Sequence, residues 1–284
     1  MIVQWYPGHM AKTLKEIEKN LKLSSVVIYC LDARVPFSSL NPKIDEIVGG
    51  KPIIYVLNKA DLADDNATKK VVKLFEKKGK TVIACNANSN QSKAVILKTL
   101  KDALQEKLKK FQQKGINGVL RAMVVGVPNT GKSTIINLLC GSKKAITGNK
   151  AGVTRQASWV KIGDNIELMD TPGTLWPKFE DELVGIKLAI VGSIKDDVVD
   201  VTELGFACMK LLIEIAPTKL IERYKLSFGA DEIKQANPVD VLNEICVNRG
   251  FVLKKNEMDY ERAGKAILDD FRNCRIGKIT LDLI

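Results

Sequence analysis

Gly126-Val-Pro-Asn-Thr-Gly131-Lys132-Ser133 has the G-x-x-x-x-G-K-S spacing of a loop that cradles phosphates. Its two glycines let the chain bend so that successive backbone N–H groups face the anion. Lys132 would supply a cation to the β- and γ-phosphates, and the Ser133 hydroxyl a ligand for Mg²⁺. The contacting set on this loop is Asn129, Thr130, Gly131, Lys132, Ser133 and Thr134. An apolar run precedes the loop and a helical pattern follows it, the context such a loop requires.

A second constellation, Asn58-Lys59-Ala60-Asp61, lies well upstream. A carboxylate at Asp61 can accept from both the ring N–H and the exocyclic amine of guanine. Adenine lacks that amine and would leave the carboxylate unpaired, which is how polar sites discriminate strongly. Asn58 is expected to brace the loop, and the aliphatic stem of Lys59 to cover the base. Asn86 and Ala87 stand where a backbone N–H could meet the guanine carbonyl. Downstream of the phosphate loop, Asp170-Thr-Pro-Gly173 offers a carboxylate for a water-held metal and a glycine N–H for the γ-phosphate. Thr154 is the candidate for a switch threonine reaching Mg²⁺ and the γ-phosphate, with Thr147 as its competitor. Thr174-Leu175-Trp176 follows Gly173, so the glutamine that often orients water there is absent. The chain's one histidine is His9. By spacing alone it reads as a hydrogen-bonded surface residue.

The elements that must position these groups alternate. Helical spacing covers 10–23, and continuous apolar runs at 26–31 and 52–57 suit buried parallel strands. A helix at 66–78, a strand at 81–84 and a long Lys-rich helix at 92–114 follow. Gly115-Ile-Asn-Gly118 breaks that helix before a strand at 120–125 and a helix at 132–140. Strands at 156–162 and 165–169 complete the pattern. Every motif then falls at a strand's carboxyl end, where parallel sheets bind ligands. Residues 180–284 read as helical, at 180–193, 201–214, 218–225, 238–248 and 258–273, with a loop from Gly229 to Pro238.

The formal net charge of the 284 residues is +11, and it is unevenly spread. Residues 1–178 carry 29 Lys/Arg against 14 Asp/Glu, whereas residues 179–217 carry 3 against 8. A basic excess on the nucleotide-binding part suits a polyanionic partner, and equally a Lys-rich solvated surface. The six cysteines are scattered without a C-x-x-C pair, against a disulfide framework or zinc site. No apolar run approaches a membrane span, and the N-terminus has neither signal- nor transit-peptide character, so a cytoplasmic protein away from the membrane is expected, and a monomer in solution is the accompanying expectation.

The guanine element precedes the phosphate loop, the reverse of the order in an ordinary GTPase, so the chain reads as a circularly permuted one. Joining a last helix to a first strand through Gly115–Gly118 would leave new ends after the second switch. The expected fold is α/β, a circularly permuted Ras-like P-loop GTPase domain with a smaller all-α C-terminal domain. The boundaries are 1–178, with an N-terminal arm 1–24 carrying His9, and 179–284. With Trp5-Tyr-Pro-Gly-His9-Met-Ala-Lys, Asp32-Ala-Arg34-Val-Pro and Lys187-Leu-Ala-Ile-Val-Gly-Ser-Ile, the motifs resemble those of the YlqF/RbgA family of circularly permuted ribosome-biogenesis GTPases over nearly the whole chain.

That resemblance implies GTP hydrolysis coupled to late maturation of the large ribosomal subunit and stimulated by the particle. It also implies ribosomal RNA as the main partner and RNA contact through the helical C-terminal domain. It implies that His9 takes over the missing glutamine's role and that Asn129 helps hold K⁺ beside the phosphates. Catalysis then falls to His9, Lys132 and Thr154, and Mg²⁺ binding to Ser133, Thr154 and Asp170. Thr174 departs from the hydrophobic residue usual in the family. Two other readings stand beside this one. A K⁺-dependent GTPase of tRNA modification is weakened by the lack of a cofactor-binding or cysteine-bearing modification domain. A non-enzymatic RNA-binding assembly factor is weakened by the intact Lys132, Ser133 and Asp170.

Overall fold

The computed structural model describes residues 8–115, 118–141, 158–162 and 165–282. Six strands form one sheet: β1 (Val26–Asp32), β2 (Ile53–Asn58), β3 (Thr81–Ala84), β4 (Leu120–Val125), β5 (Ser158–Ile162) and β6 (Ile166–Asp170), in the order β3-β2-β1-β4-β6-β5. All neighbours run parallel except β5, which is antiparallel to β6. Every residue of β1 is buried, as a central strand covered on both faces demands.

One face of the sheet is covered by α1 (Gly8–Leu21), α2 (Pro42–Val48) and α3 (Asp65–Lys77), which bury Ile17, Leu21, Ile44, Val71 and Phe75 with Tyr29, Leu31 and Met123. The other is covered by α4 (Asn90–Gln113) and α5 (Lys132–Cys140), through Ile96, Leu100, Leu104, Ile135 and Leu139. Alternating strands and helices thus yield the two-sided sheet read from the sequence. This is the circularly permuted Ras-like arrangement. The antiparallel edge pair β5–β6 follows the phosphate-loop strand β4 in the chain, while β1, β2 and β3 precede it.

The helical half comprises α6 (Glu182–Ile190), α7 (Val201–Ile215), α8 (Pro217–Tyr224), α9 (Glu232–Gln235), α10 (Pro238–Arg249) and α11 (Tyr260–Arg272). The close crossing of α7 and α11 depends on glycine, because a Cβ on Gly205 would lie 2.2 Å from the Gly264 Cα. The core of this half does not stop at residue 179. Met10, Val35, Val127, Leu175 and Trp176 belong to the same buried cluster as Leu188, Leu212 and Ile267.

One local element is added to the sequence reading and one expectation is corrected. Residues 42–48, unassigned in the sequence reading, form a helix capped by the Asn41 side chain on Lys43 N–H, with Pro42 in its first turn. Two turns burying only Ile44 and Val48 show too little periodicity to register, though an Asn-Pro start is a helix signal. The 229–238 loop contains the single turn α9, which buries Ile233.

Candidate nucleotide-binding site

Parallel registry brings the motif-bearing strand ends to one rim. Asp32 aligns with Asn58 across β1 and β2, and Val124 with Asp170 across β4 and β6. The phosphate loop leaves β4 at Gly126 and enters α5 at Lys132, and the guanine element leaves β2 at Asn58.

The two loops are bonded to each other. Asn58 Nδ2 donates to the Thr130 carbonyl at 2.8 Å, and Lys59 Nζ donates to the Asn129 carbonyl at 2.6 Å. Both Lys59 and Asn129 have left-handed backbone (φ 60° and 59°), an uncommon state for residues with side chains and one concentrated at functional loops. Gly131 has φ 91°, and a Cβ there would stand 2.2 Å from Asn58 Nδ2. Asn58 Oδ1 accepts the Ala87 N–H at 3.0 Å, so that N–H braces the loop. The Asn86 N–H donates to Ser92 Oγ at 3.2 Å. Ala60 N–H donates to the Cys85 carbonyl at 3.1 Å, and Asp61 lies exposed on the rim.

At the phosphate end, Lys132 Nζ donates to the carbonyls of Gly126 and Val127 at 3.1 and 2.9 Å. Burial draws its ammonium below the ordinary lysine value. Thr130 is fully buried, its hydroxyl donating to the Val127 carbonyl, and Thr134 is half-buried in the first turn of α5. Ser133 Oγ donates to Asp170 Oδ2 at 2.8 Å. Two hard oxygen donors so close, one a carboxylate, fit Mg²⁺. Gly173 lies over the loop, where a Cβ would come within 2.5 Å of the Pro128 Cα and 2.9 Å of Lys132 Nζ. Thr174 N–H donates to the Gly126 carbonyl at 3.3 Å, and its buried hydroxyl has no hydrogen-bond partner among the described residues.

His9 stands in the first turn of α1, beside Met10, whose side chain shares a buried cluster with Val127 of the phosphate loop. Thr154 and its competitor Thr147 lie outside the described residues. Asn129, half-buried, approaches the helical half, since a Cβ on Gly192 would lie 3.1 Å from its Nδ2.

Asp32 and Arg34 entered the sequence reading only as a motif, without a role. Asp32 carries an ion pair to Arg34 at 2.8 Å and another to Lys59 at 3.1 Å, with Asp32 and Arg34 almost wholly buried. Burial alone would raise the Asp32 carboxyl, but the Arg34 and Lys59 charges and the Arg34 hydrogen bonds hold it well below the usual carboxylate range. An acid ending an apolar strand two residues before an arginine was the available signal. The thiols beneath the loops are inert by contrast, with burial pushing Cys30 up to about 11 and Cys85 up to about 12.

Residues 121–221 match the family model described as a 50S ribosome-binding GTPase. The chain is 42% identical to ribosome biogenesis GTPase A of Bacillus cereus, with 99% of this chain and 94% of that protein covered. Mitochondrial ribosome-associated GTPase 1 of Mus musculus is 31% identical, covering 99% of this chain and 90% of its own length. Among solved structures, GNP-bound YlqF from T. maritima superposes with a TM-score of 0.64 at 26% identity, over 95% of this chain and 97% of that one.

Proposed function

The chain belongs to the ribosome biogenesis GTPase A family, and from that membership we propose that it binds the maturing large ribosomal subunit and couples GTP hydrolysis to a late step of its assembly. The observation that carries this reading is the bonding of the guanine element to the phosphate loop through Asn58 and Thr130, which supports reading two sequence-distant loops as one nucleotide site.

The residues divide the work by chemistry. Asp61 reads the guanine edge, while Asn58 and Lys59 hold the base loop against the phosphate loop. The backbone N–H groups from Asn129 to Thr134 and the Lys132 ammonium take the phosphate charge, which grows on the transferred group as the bond breaks. Ser133 and Asp170, with Thr154, would hold Mg²⁺, whose charge would offset that of the phosphates. Gly173 N–H senses the γ-phosphate. His9, at the start of α1 and next to Met10 in the chain, takes the role of orienting the attacking water. Asn129 would offer an amide oxygen to K⁺. Loss of γ-phosphate contacts releases the switch segments and with them the particle.

Ribosomal RNA is the polyanion matched to the basic half. Lys98, Lys101, Lys107, Lys109 and Lys110 are all exposed along α4, and each phosphate contact would gain from counterion release. The helical half adds a second contact surface, and the protein acts as a monomer in the cytoplasm.

Sedimentation tests this reading directly. The protein is expected to co-migrate with large-subunit precursors in a non-hydrolysable GTP analogue and to dissociate in GDP. Migration independent of nucleotide, or with no ribosomal particle, overturns it.

A further inference from the structure

The segment after α11 returns to the sheet and crosses the loops beside the guanine element. Ile279 N–H donates to the Leu62 carbonyl at 3.3 Å, and Leu281 N–H to the Arg34 carbonyl at 2.7 Å. Thr280 Oγ1 accepts from Asp64 N–H at 3.2 Å. Lys278 pairs with Asp65 at 3.0 Å at one end. At the other, the buried Asp282 carboxylate takes the N–H groups of Phe37 and Ser38 at 2.8 and 2.9 Å, the Ser38 hydroxyl at 2.7 Å and the Lys187 ammonium at 3.0 Å.

A second line reaches the same element through Lys59. Lys59 pairs with Asp32, and Asp32 with Arg34. Arg34 lies over the Phe271 ring at 5.6 Å and donates to the Arg272 carbonyl at 3.4 Å. Arg272 in turn donates to the carbonyls of Ala189 and Ile190 at the end of α6. Asp61 therefore sits between Lys59 and Leu62–Asp64, and both flanks are fastened to the last part of the chain.

We infer that residues 278–282 form a strap that belongs to the nucleotide site, positioning the guanine-reading loop so that guanine affinity is set jointly by the sheet and the helical half. The inference rests on the assignment of Asn58–Asp61 to guanine. A mere fastener would need the Asp282 anchor alone. The bonds to Leu62 and Asp64, and the Lys59–Asp32–Arg34 line that the strap meets at the Arg34 carbonyl, put the connection at the recognition loop itself. Coupling is reciprocal, so a partner that moves the helical half against the sheet changes guanine-nucleotide affinity, and bound nucleotide changes partner affinity by the same factor.

The test uses the full chain and stopped-flow release of fluorescent GDP and inosine diphosphate, which lacks the exocyclic amine. Asp282→Ala is expected to speed GDP release about tenfold, to raise the GTP KM with kcat unchanged, and to narrow the preference for GDP over inosine diphosphate. Ser38→Ala, which removes one hydroxyl donor, gives a smaller change in the same direction and serves if the first variant is poorly folded. Unchanged release, or equal acceleration for both nucleotides, overturns the strap's role. Asp61→Asn is run in parallel and is expected to exchange GDP for xanthosine diphosphate, because an amide can donate to the carbonyl that replaces the amine. No change of base preference there removes the guanine assignment itself. A changed preference with unaltered release in the strap variants removes only the strap.

Discussion

Asn58 Nδ2 donates to the Thr130 carbonyl at 2.8 Å, joining residues 72 positions apart in the chain. The same side chain accepts Ala87 N–H through Oδ1, so one amide ties three loops at the sheet's rim. Removing it leaves the buried Ala87 N–H unpaired and the Thr130 carbonyl with only the weak Cys30 thiol donor. Asn58→Ala is expected to cost about 2–4 kcal/mol of stability and to weaken GTP binding, measured by urea unfolding and calorimetric titration. Gly131→Ala reaches the same contact from the other side. Its methyl would overlap Asn58 Nδ2 at a positive φ, and a loss of about 1–3 kcal/mol is expected from the strained backbone.

Mg²⁺ binding is expected to depend on the Ser133–Asp170 pair. Ser133→Ala removes an oxygen donor but leaves Lys132 in place, so nucleotide should still bind in EDTA much as in the native chain. Affinity for Mg²⁺ should fall by about 10- to 100-fold or more, by comparison with losses at supporting residues of metal sites. Titration of Mg²⁺ against bound fluorescent GTP measures it. Identical Mg²⁺ dependence in the two proteins would count against Ser133 as a ligand.

His9→Ala separates binding from chemistry. GTP affinity should be retained while particle-stimulated hydrolysis drops by about 10²–10⁴, the range for a positioned acid–base group. Single-turnover hydrolysis with purified large subunits, beside equilibrium binding, gives both quantities. Equal loss of both would make His9 a structural residue.

Substituting K⁺ by Na⁺ tests Asn129. Turnover is expected to be higher in KCl than in NaCl at matched ionic strength, and Asn129→Ala to erase the difference. Equal rates for the native chain in the two salts would remove Asn129 from the metal ligands.

Asp32 gives a pH signature. Its folded-state pKa is depressed, so the stabilisation it contributes is present above the unfolded carboxylate value of about 4 and fades as pH falls from there towards the lower folded value. Asp32→Asn breaks a buried ion pair, at an expected cost of about 3–5 kcal/mol near pH 7. The gap between the two proteins should narrow below about pH 4. Denaturant melts from pH 7 to pH 3 measure it, and a constant gap would mean that Asp32 contributes through shape alone.

The phosphate loop, the guanine element and Asp170–Gly173 were legible because each is a short run whose spacing carries its own chemistry. Their inverted order was enough to expect a permuted GTPase, and apolar runs against helical spacing were enough to expect the parallel sheet. What escaped was either very short or non-local. Residues 42–48 are a helix too short for periodicity to announce. Asp32 reads as the polar end of a strand until the fold sets Lys59 and Arg34 beside it.

The sequence by itself determined which chemical groups stand at the ends of which strands, since turn glycines, caps and hydrophobic period act over a few residues. Only the tertiary structure decided what joins those ends. Asp282 meets Ser38 across 244 residues, and Met10 shares a core with Val127 and helices from the far end of the chain. No spacing rule encodes such pairs, because they form only when packing of the whole chain removes their alternatives in water.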